Sequence, residues 1–249
     1  MWSRVEKWLG LVRSLIIYWR PGRQRGLRGL YRPFVGVGDL AFDVGAHLGD
    51  RTAAFRRLGA RVVALEPQPA VRRCLVLLVG RGRDVSVRAE AVGRAVGTAR
   101  LALSHRTPTV SSLSEAWRRN PIFRGVRWDD SVTVPVTTLD ALIEEYGLPR
   151  FCKIDVEGYE AEVLAGLSHR IPALSVEFLA GALDIAEACV RRLEALGGYE
   201  FNVVRGEERR FMSERWLAAD EMVAWLRGGG GSVPSGDVYA RLTETSNHG

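Results

Sequence analysis

The sequence predicts an α/β fold: one doubly wound domain whose mostly parallel sheet has seven strands with helices on both faces. Three observations predict it. Short apolar runs alternate with amphipathic stretches along most of the chain, the pattern of βαβ units. A glycine-bearing turn follows the first of these runs and opens a helix. Three of the runs end in carboxylates, at Asp43, Glu66 and Asp155, where open α/β sheets bind their ligands.

Residues 40–44 (LAFDV) read as a buried strand and 50–58 as the helix after it. A second strand covers 61–65, a second helix 69–79 and a third strand 85–89. Regularity lapses between about 100 and 132, where His105, Pro108, Ser111, Ser112, Asn120, Pro121 and Trp128 stand. The irregular loop proper is placed at 104–131. A loop of that length inside a compact domain is usually functional or disordered. An inserted strand is expected at 132–136, and Thr138 caps a helix reaching 146. Strands at 151–156 and 173–178 follow, with helices at 159–167 and 182–196. Strands at 200–204 and 238–242 close the sheet, with a helix at 216–226 and the glycine run 228–231 between them. The main domain therefore spans 39–242, and the polar tail 243–249 is expected to fray.

Residues 1–38 read as a helical appendage and linker. Trp2, Val5, Trp8, Leu9, Val12, Leu15, Ile16 and Trp19 recur at helical spacing, with Arg4, Lys7 and Arg13 between them. Pro21 and Gly22 stop this helix inside an arginine-rich segment, 20–32. Two readings stand: a helix packed on the domain, or an interfacial helix with tryptophan anchors and a basic flank that touches a membrane through residues 1–32. No apolar run reaches the roughly 18 residues that span a bilayer. Arg13 and Arg20 closely flank the 15–19 stretch and no small-residue cleavage site follows, so neither a secretory signal nor a transmembrane helix is expected.

Composition narrows the class. The 249 residues are 47% hydrophobic, enough for a full core, and 26% charged, which argues against bulk disorder. The net charge of +6 permits an acidic partner without demanding one, because an arginine-rich chain can also reflect base composition. Cys74, Cys152 and Cys189 are far apart in apolar runs, so buried free thiols in a reducing cytoplasm are expected, and no spacing suits zinc.

The chemistry concentrates at the strand ends. In AFDVGAHLGDRT (41–52) a strand ends in Asp43 and a turn with Gly45 and Gly49 opens a helix. The dinucleotide glycine pattern is missing, and Asp43 would repel a diphosphate, which disfavours a nicotinamide oxidoreductase. A ligand with an ammonium group and no phosphate meets no such repulsion, and S-adenosylmethionine is one; Asp43 is then expected near its amino acid moiety. Glu66, in VALEP, ends the second strand at the spacing that suits ribose hydroxyls. In FCKIDVEG (151–158), Asp155 and Glu157 share a face if the strand persists. Such a pair can position a cofactor, bind a divalent cation or accept a proton. Glu177, in LSVEF, repeats the pattern more weakly.

These segments together resemble the FkbM-type methyltransferase family. The matching stretches are DVGAHLGDRT (43–52), ALEPQP (64–69), AEAVG (89–93), SSL (111–113), TTLDAL (137–142), KIDVEGYEAEVLAG (153–166) and SVEF (175–178), over roughly 39–178. The resemblance implies a Rossmann-like methyltransferase sheet, S-adenosylmethionine as cofactor and, usually, O-methylation of a hydroxyl on a sugar, glycolipid or secondary metabolite. It implies cofactor contacts from Asp43, Gly45, Ala46, His47, Gly49, Thr52, Glu66, Pro67, Glu90, Ala91 and Asp155. Asp155 and Glu157 are expected to line the transfer site, with His105 in the irregular loop as an alternative base and a divalent cation as a further route. The family more often carries Asn where His47 stands, and residues 1–38 and 205–249 match nothing in its pattern. Nucleic acid is a less favoured acceptor, because the polar-Pro-Pro-aromatic signature of base amino methylation is replaced by Asp155-Val-Glu157-Gly158. A membrane-associated, nucleotide-binding protein without enzymatic activity would explain the N-terminus but not three aligned strand-end acids.

Overall fold

The computed structural model describes residues 2–80 and 82–243, with side chains from residue 10 onward. Two helices come first, α1 (Trp2–Tyr18) and α2 (Arg23–Tyr31). Alternation then begins with β1 (Leu40–Val44), α3 (Asp50–Arg57), β2 (Arg61–Leu65), α4 (Pro69–Val79) and β3 (Val85–Arg88). A small annexe follows, made of β4 (Ala91–Val92), β5 (Gly97–Leu103) and, after the four-residue helix α5 (Glu115–Arg118), β6 (Asp130–Thr137). The chain continues through α6 (Leu139–Tyr146), β7 (Phe151–Ile154), α7 (Glu160–Ala165) and β8 (Ala173–Leu179). It ends with α8 (Leu183–Leu196), β9 (Tyr199–Arg205), α9 (Ala219–Arg227) and β10 (Ser235–Leu242).

Seven strands form the main sheet in the order β3-β2-β1-β7-β8-β10-β9, and β4-β6-β5 form the annexe. The main sheet is parallel except for β10, which runs antiparallel to β8 and β9. The doubly wound α/β class is therefore as the sequence predicts. All five residues of β1 are buried, as expected of a central strand covered on both faces. Strand pleating sends alternate residues to opposite layers. Phe42 and Cys152 join Leu139, Val163 and Val190 on one face, while Ala41 and Phe151 join Leu27, Tyr31 and Phe55 on the other. Chain order reverses between β1 and β7, and a crevice opens at such a switch point, beyond the carboxyl ends of the strands.

Several expectations need correction. The arginine-rich stretch at 20–32 contains a helix, and its Leu27, Leu30 and Tyr31 enter the core. Tyr31 meets Phe55 edge-on at 4.6 Å between ring centroids, and Phe34 stacks on Tyr239 at 5.8 Å. Residues 23–35 are thus part of the domain's packing rather than a linker. The arginines obscured an i, i+3, i+4, i+7 pattern at Leu27, Leu30, Tyr31 and Phe34, and Gly26 and Gly29 lowered the helical propensity. Regular structure also reaches further, because β5 runs to Leu103 by pairing with β6. The last helix starts at Ala219 rather than 216, and the Trp216 ring lies under Arg241, 4.2 Å from its guanidinium carbon. Thr138 does cap α6, accepting from the Ala141 amide at 3.1 Å. The side chains of Trp2, Val5, Trp8 and Leu9, and the tail beyond 243, lie outside the described residues. Among the described residues no helix is long and apolar enough to cross a membrane.

Candidate active site

A cleft opens at the switch point, with about 860 Å³ of space including its solvent-filled mouth. Its walls come from the ends of β1, β2 and β7, from the β3–β4 turn and from the 104–129 loop. Asp43, Gly45, Ala46, His47, Glu66, Pro67, Glu90, Ala91, Asp155 and Glu157 all line it, so ten of the residues picked from the sequence converge. Gly49, Thr52 and His105 are not among its lining residues.

The β1 turn is shaped by internal packing. Gly45 has φ 81°, and a Cβ there would stand 1.8 Å from the Asp155 carbonyl oxygen. The missing side chain therefore lets the β1 and β7 turns pass each other. Gly49 packs on α4 instead, where a Cβ would meet Leu75 and Val79. Thr52 is fully buried and donates to Asp43 at 2.5 Å, so it orients that carboxylate from behind. Burial pushes the Asp43 carboxyl up to about 6, against the Thr52 hydrogen bond. Glu66 receives the amides of His47 (3.0 Å) and Gln68 (2.8 Å), one on each oxygen. Burial still outweighs these bonds and pushes its carboxyl up to about 7. His47 sits in the left-handed region at φ 47°, and neither of its buried ring nitrogens has a partner among the described residues. Burial lowers its imidazole to about 4, so it is neutral near pH 7.

The β7 end carries the densest charge. Lys153 is buried between Asp237 (2.8 Å) and Asp155 (3.3 Å). Burial opposes the Asp155 charge, but Lys153 and then Arg51 outweigh it and hold that carboxyl below the ordinary range. β7 ends at Ile154, one residue before the expected acid, so simple alternation does not bring Asp155 and Glu157 together. A turn through Glu157 at φ 55° does, and each of Asp155, Glu157 and Glu177 offers an oxygen within 4.8 Å of the others. Burial first, and the neighbouring Asp155 charge second, push Glu157 and Glu177 well above the ordinary range. One charge in the trio thus disfavours the other two. A divalent cation is the other way to hold three such oxygens together. The amides of Val156 and Gly158 go to Glu160, at 3.0 and 3.3 Å, so Glu160 rather than Glu157 caps this turn. The Trp117 indole packs on Gly158, beside Glu157.

Some lining residues were not picked from the sequence. Tyr18, at the end of α1, lines the cleft and meets His47 edge-on at 5.3 Å. Arg51 lines it too, paired to Asp50, which Arg23 also holds at 2.6 Å. Buried Arg23 bonds Glu207 as well, tying α2, α3 and the β9–α9 loop together. Lys153 lies within the KIDVEG stretch, but its partner Asp237 is 84 residues away and carries no local signal. His105 pairs with Asp130 at 3.2 Å, and its carbonyl lies against Gly10 of α1. His105 does not line the cleft, and that counts against it as the base.

Several solved structures match this chain at low sequence identity. A precorrin-6y C5,15-methyltransferase from Geobacter metallireducens matches at 14% identity, covering 88% of this chain and 87% of that one, with a TM-score of 0.46. Fibrillarin from Aeropyrum pernix with natively bound S-adenosyl-L-methionine matches at 14% identity, with coverages of 83% and 68% and a TM-score of 0.42. A SAM-dependent O-methyltransferase from Thermotoga maritima matches at 11% identity, with coverages of 92% and 67% and a TM-score of 0.42. No curated protein matches the sequence. The methyltransferase FkbM domain matches residues 43–231, which extends the likeness past 178 and takes in 205–231, expected to lie outside it. That span is most of the chain and contains every cleft-lining strand end, and the chain belongs to the FkbM family of S-adenosylmethionine-dependent methyltransferases.

Proposed function

We propose that the cleft binds S-adenosylmethionine along the ends of β2, β1 and β7, and that the protein methylates a hydroxyl of a sugar, glycolipid or secondary metabolite. One observation carries this reading: carboxylates from three adjacent strand ends, Asp43, Glu66 and Asp155, converge on one cleft at the switch point. The residues present fit the cofactor. Glu66 uses one lone pair per oxygen on backbone amides and keeps acceptor capacity for ribose hydroxyls. Ala91, Val92, Leu101 and Leu113 offer an apolar wall for a purine. The partnerless ring nitrogens of His47 and the buried Nε of Arg51 are polar groups that a bound ligand can satisfy. Asp43 and Asp155 suit the amino acid end and the cationic sulfur. When bound, S-adenosylmethionine supplies a methyl already activated for transfer and a positive charge that favours ionised carboxyls nearby.

The chain's own residues then have two tasks. In-line positioning of the acceptor supplies much of the rate. The acceptor hydroxyl must also lose its proton, and we assign that proton to Glu157, supported by its place in the cleft lining. A proton held tightly by Glu157 in the free protein must leave first, so turnover should rise with pH. A divalent cation on Asp155, Glu157 and Glu177 is the alternative means of acidifying the hydroxyl. The test is Glu157→Gln, assayed with labelled cofactor against extract-derived acceptors and, separately, for cofactor affinity. Lost turnover with unchanged affinity supports the base, and a chelator then separates a base from a metal ligand. Intact turnover removes Glu157 from the chemistry.

A further inference from the structure

Helix α1 has two unlike sides. Its inner side is seated on the domain. A Cβ on Gly10 would stand 2.5 Å from the His105 carbonyl oxygen, Ser14 is buried, and Tyr18 reaches the cleft. Just beyond, the Trp19 indole donates to the Leu48 carbonyl at 3.1 Å, fixing the helix end to the β1 turn. The outer side is apolar and open to solvent. Val12 is 46% exposed, Leu15 39% and Ile16 67%. At 100° per residue, Val12 and Ile16 lie one turn apart and roughly opposite Gly10 and Ser14. Leu15 lies beside them, so three exposed aliphatic side chains form one contiguous patch, a feature that marks an interaction surface.

Charge decides what covers this face. Arg13 and Arg20 flank the aliphatic stripe, and Arg25, Arg28 and Arg32 continue from α2; all five are exposed. None of the five is paired with a carboxylate among the described residues. Exposed aliphatic residues beside unpaired arginines complement an anionic bilayer surface, where the side chains enter the headgroup boundary and the arginines meet lipid phosphates. A second copy of the chain would bring the same arginines against one another.

We infer that the outer face of α1, through Val12, Leu15 and Ile16 with Arg13 and Arg20, docks the protein on an anionic membrane surface. This holds independently of the methyl-transfer reading. The same helix carries Tyr18 on its inner side, so docking sets the cleft about one helix diameter, roughly 10 Å, from the lipid.

Vesicle flotation of the full chain tests the proposal. Phosphatidylcholine vesicles with roughly one third phosphatidylserine are compared with phosphatidylcholine alone. Wild type is expected to float with the anionic vesicles only, and to be released as salt rises from about 50 mM to about 500 mM. Val12→Glu with Ile16→Glu, and separately Arg13→Glu with Arg20→Glu, should each weaken partitioning at least about tenfold. These positions are exposed, so melting temperatures should match wild type, and the arginine pair leaves the aliphatic stripe intact. Wild type staying at the bottom of the gradient with anionic vesicles at low salt overturns the proposal. So does equal flotation of wild type and both double variants. A wild-type dimer in light scattering that becomes monomeric with Val12→Glu and Ile16→Glu also overturns it, assigning the face to a second copy.

Discussion

Glu66→Gln probes the site through a charge that burial opposes. The residue is 3% exposed, and its carboxyl moves from the ordinary 4.5 to about 7 because burial outweighs two backbone amides. That step corresponds to about 3 kcal/mol against the ionised form. The folded value lies above the unfolded one, so the folded chain binds this proton more tightly. The cost is absent below 4.5, grows as pH rises and is complete above about 7. Glutamine carries no charge and removes this cost. Its amino group, however, must face the His47 or the Gln68 amide, leaving one bond unmade at about 1–3 kcal/mol. The variant should therefore be less stable than wild type near about pH 5, and level with it or slightly more stable near about pH 8. Cofactor affinity should behave differently. Ribose hydroxyls donate best to an ionised carboxylate, so wild-type affinity should strengthen as pH rises through about 7. The variant should bind roughly ten- to a hundredfold more weakly, from loss of a charged hydrogen bond of about 1.5–3 kcal/mol, with a flat profile across that range. Calorimetry with S-adenosylhomocysteine and denaturant unfolding at each pH measure both. Equal affinities with equal pH profiles would refute the ribose assignment, and a pH-independent stability difference would refute the burial argument.

Lys153→Met should cost about 3 kcal/mol near about pH 8, towards the low end for breaking a buried pair because the Asp155 side chain keeps 27% exposure to the cleft. The loss should shrink near about pH 5, where Asp155 and Asp237 can protonate once their counter-charge is gone; urea unfolding at the two values checks this, and a small, pH-independent loss would count against a buried cation. Gly45→Ala combines a φ of 81° with a Cβ 1.8 Å from a backbone oxygen, so the β1 and β7 turns must separate. Loss of at least about 2–3 kcal/mol and of cofactor binding is expected, read by thermal unfolding with and without S-adenosylhomocysteine. A fully stable, binding-competent variant would show that the turns tolerate separation.

The elements readable in the sequence are those whose signal is local. The runs at 61–65 and 69–79 became β2 and α4 with the expected bounds, because a buried strand and an amphipathic helix are each written in adjacent residues. The Thr138 cap is equally local, a side chain meeting an amide three residues on. Strand-end acids could be picked because a parallel sheet places successive strand ends at one edge, so Asp43, Glu66 and Asp155 meet whenever that fold forms. The contribution of Tyr18 to the cleft depends on where α1 lies against the β1 turn, and the burial of Arg23 depends on Glu207, 184 residues away. Charge states were equally hidden. Lys153 holds Asp155 ionised only because β7 stops at Ile154 and β10 delivers Asp237 to its other side. Glu157 turns to the cleft because Glu160 takes the loop amides. Backbone hydrogen bonding in helices and turns, and the alternation of a strand, are properties of near neighbours, so composition and spacing determine them. Desolvation and Coulomb energies depend on which distant groups share a low-dielectric volume, and only the assembled tertiary structure decides that.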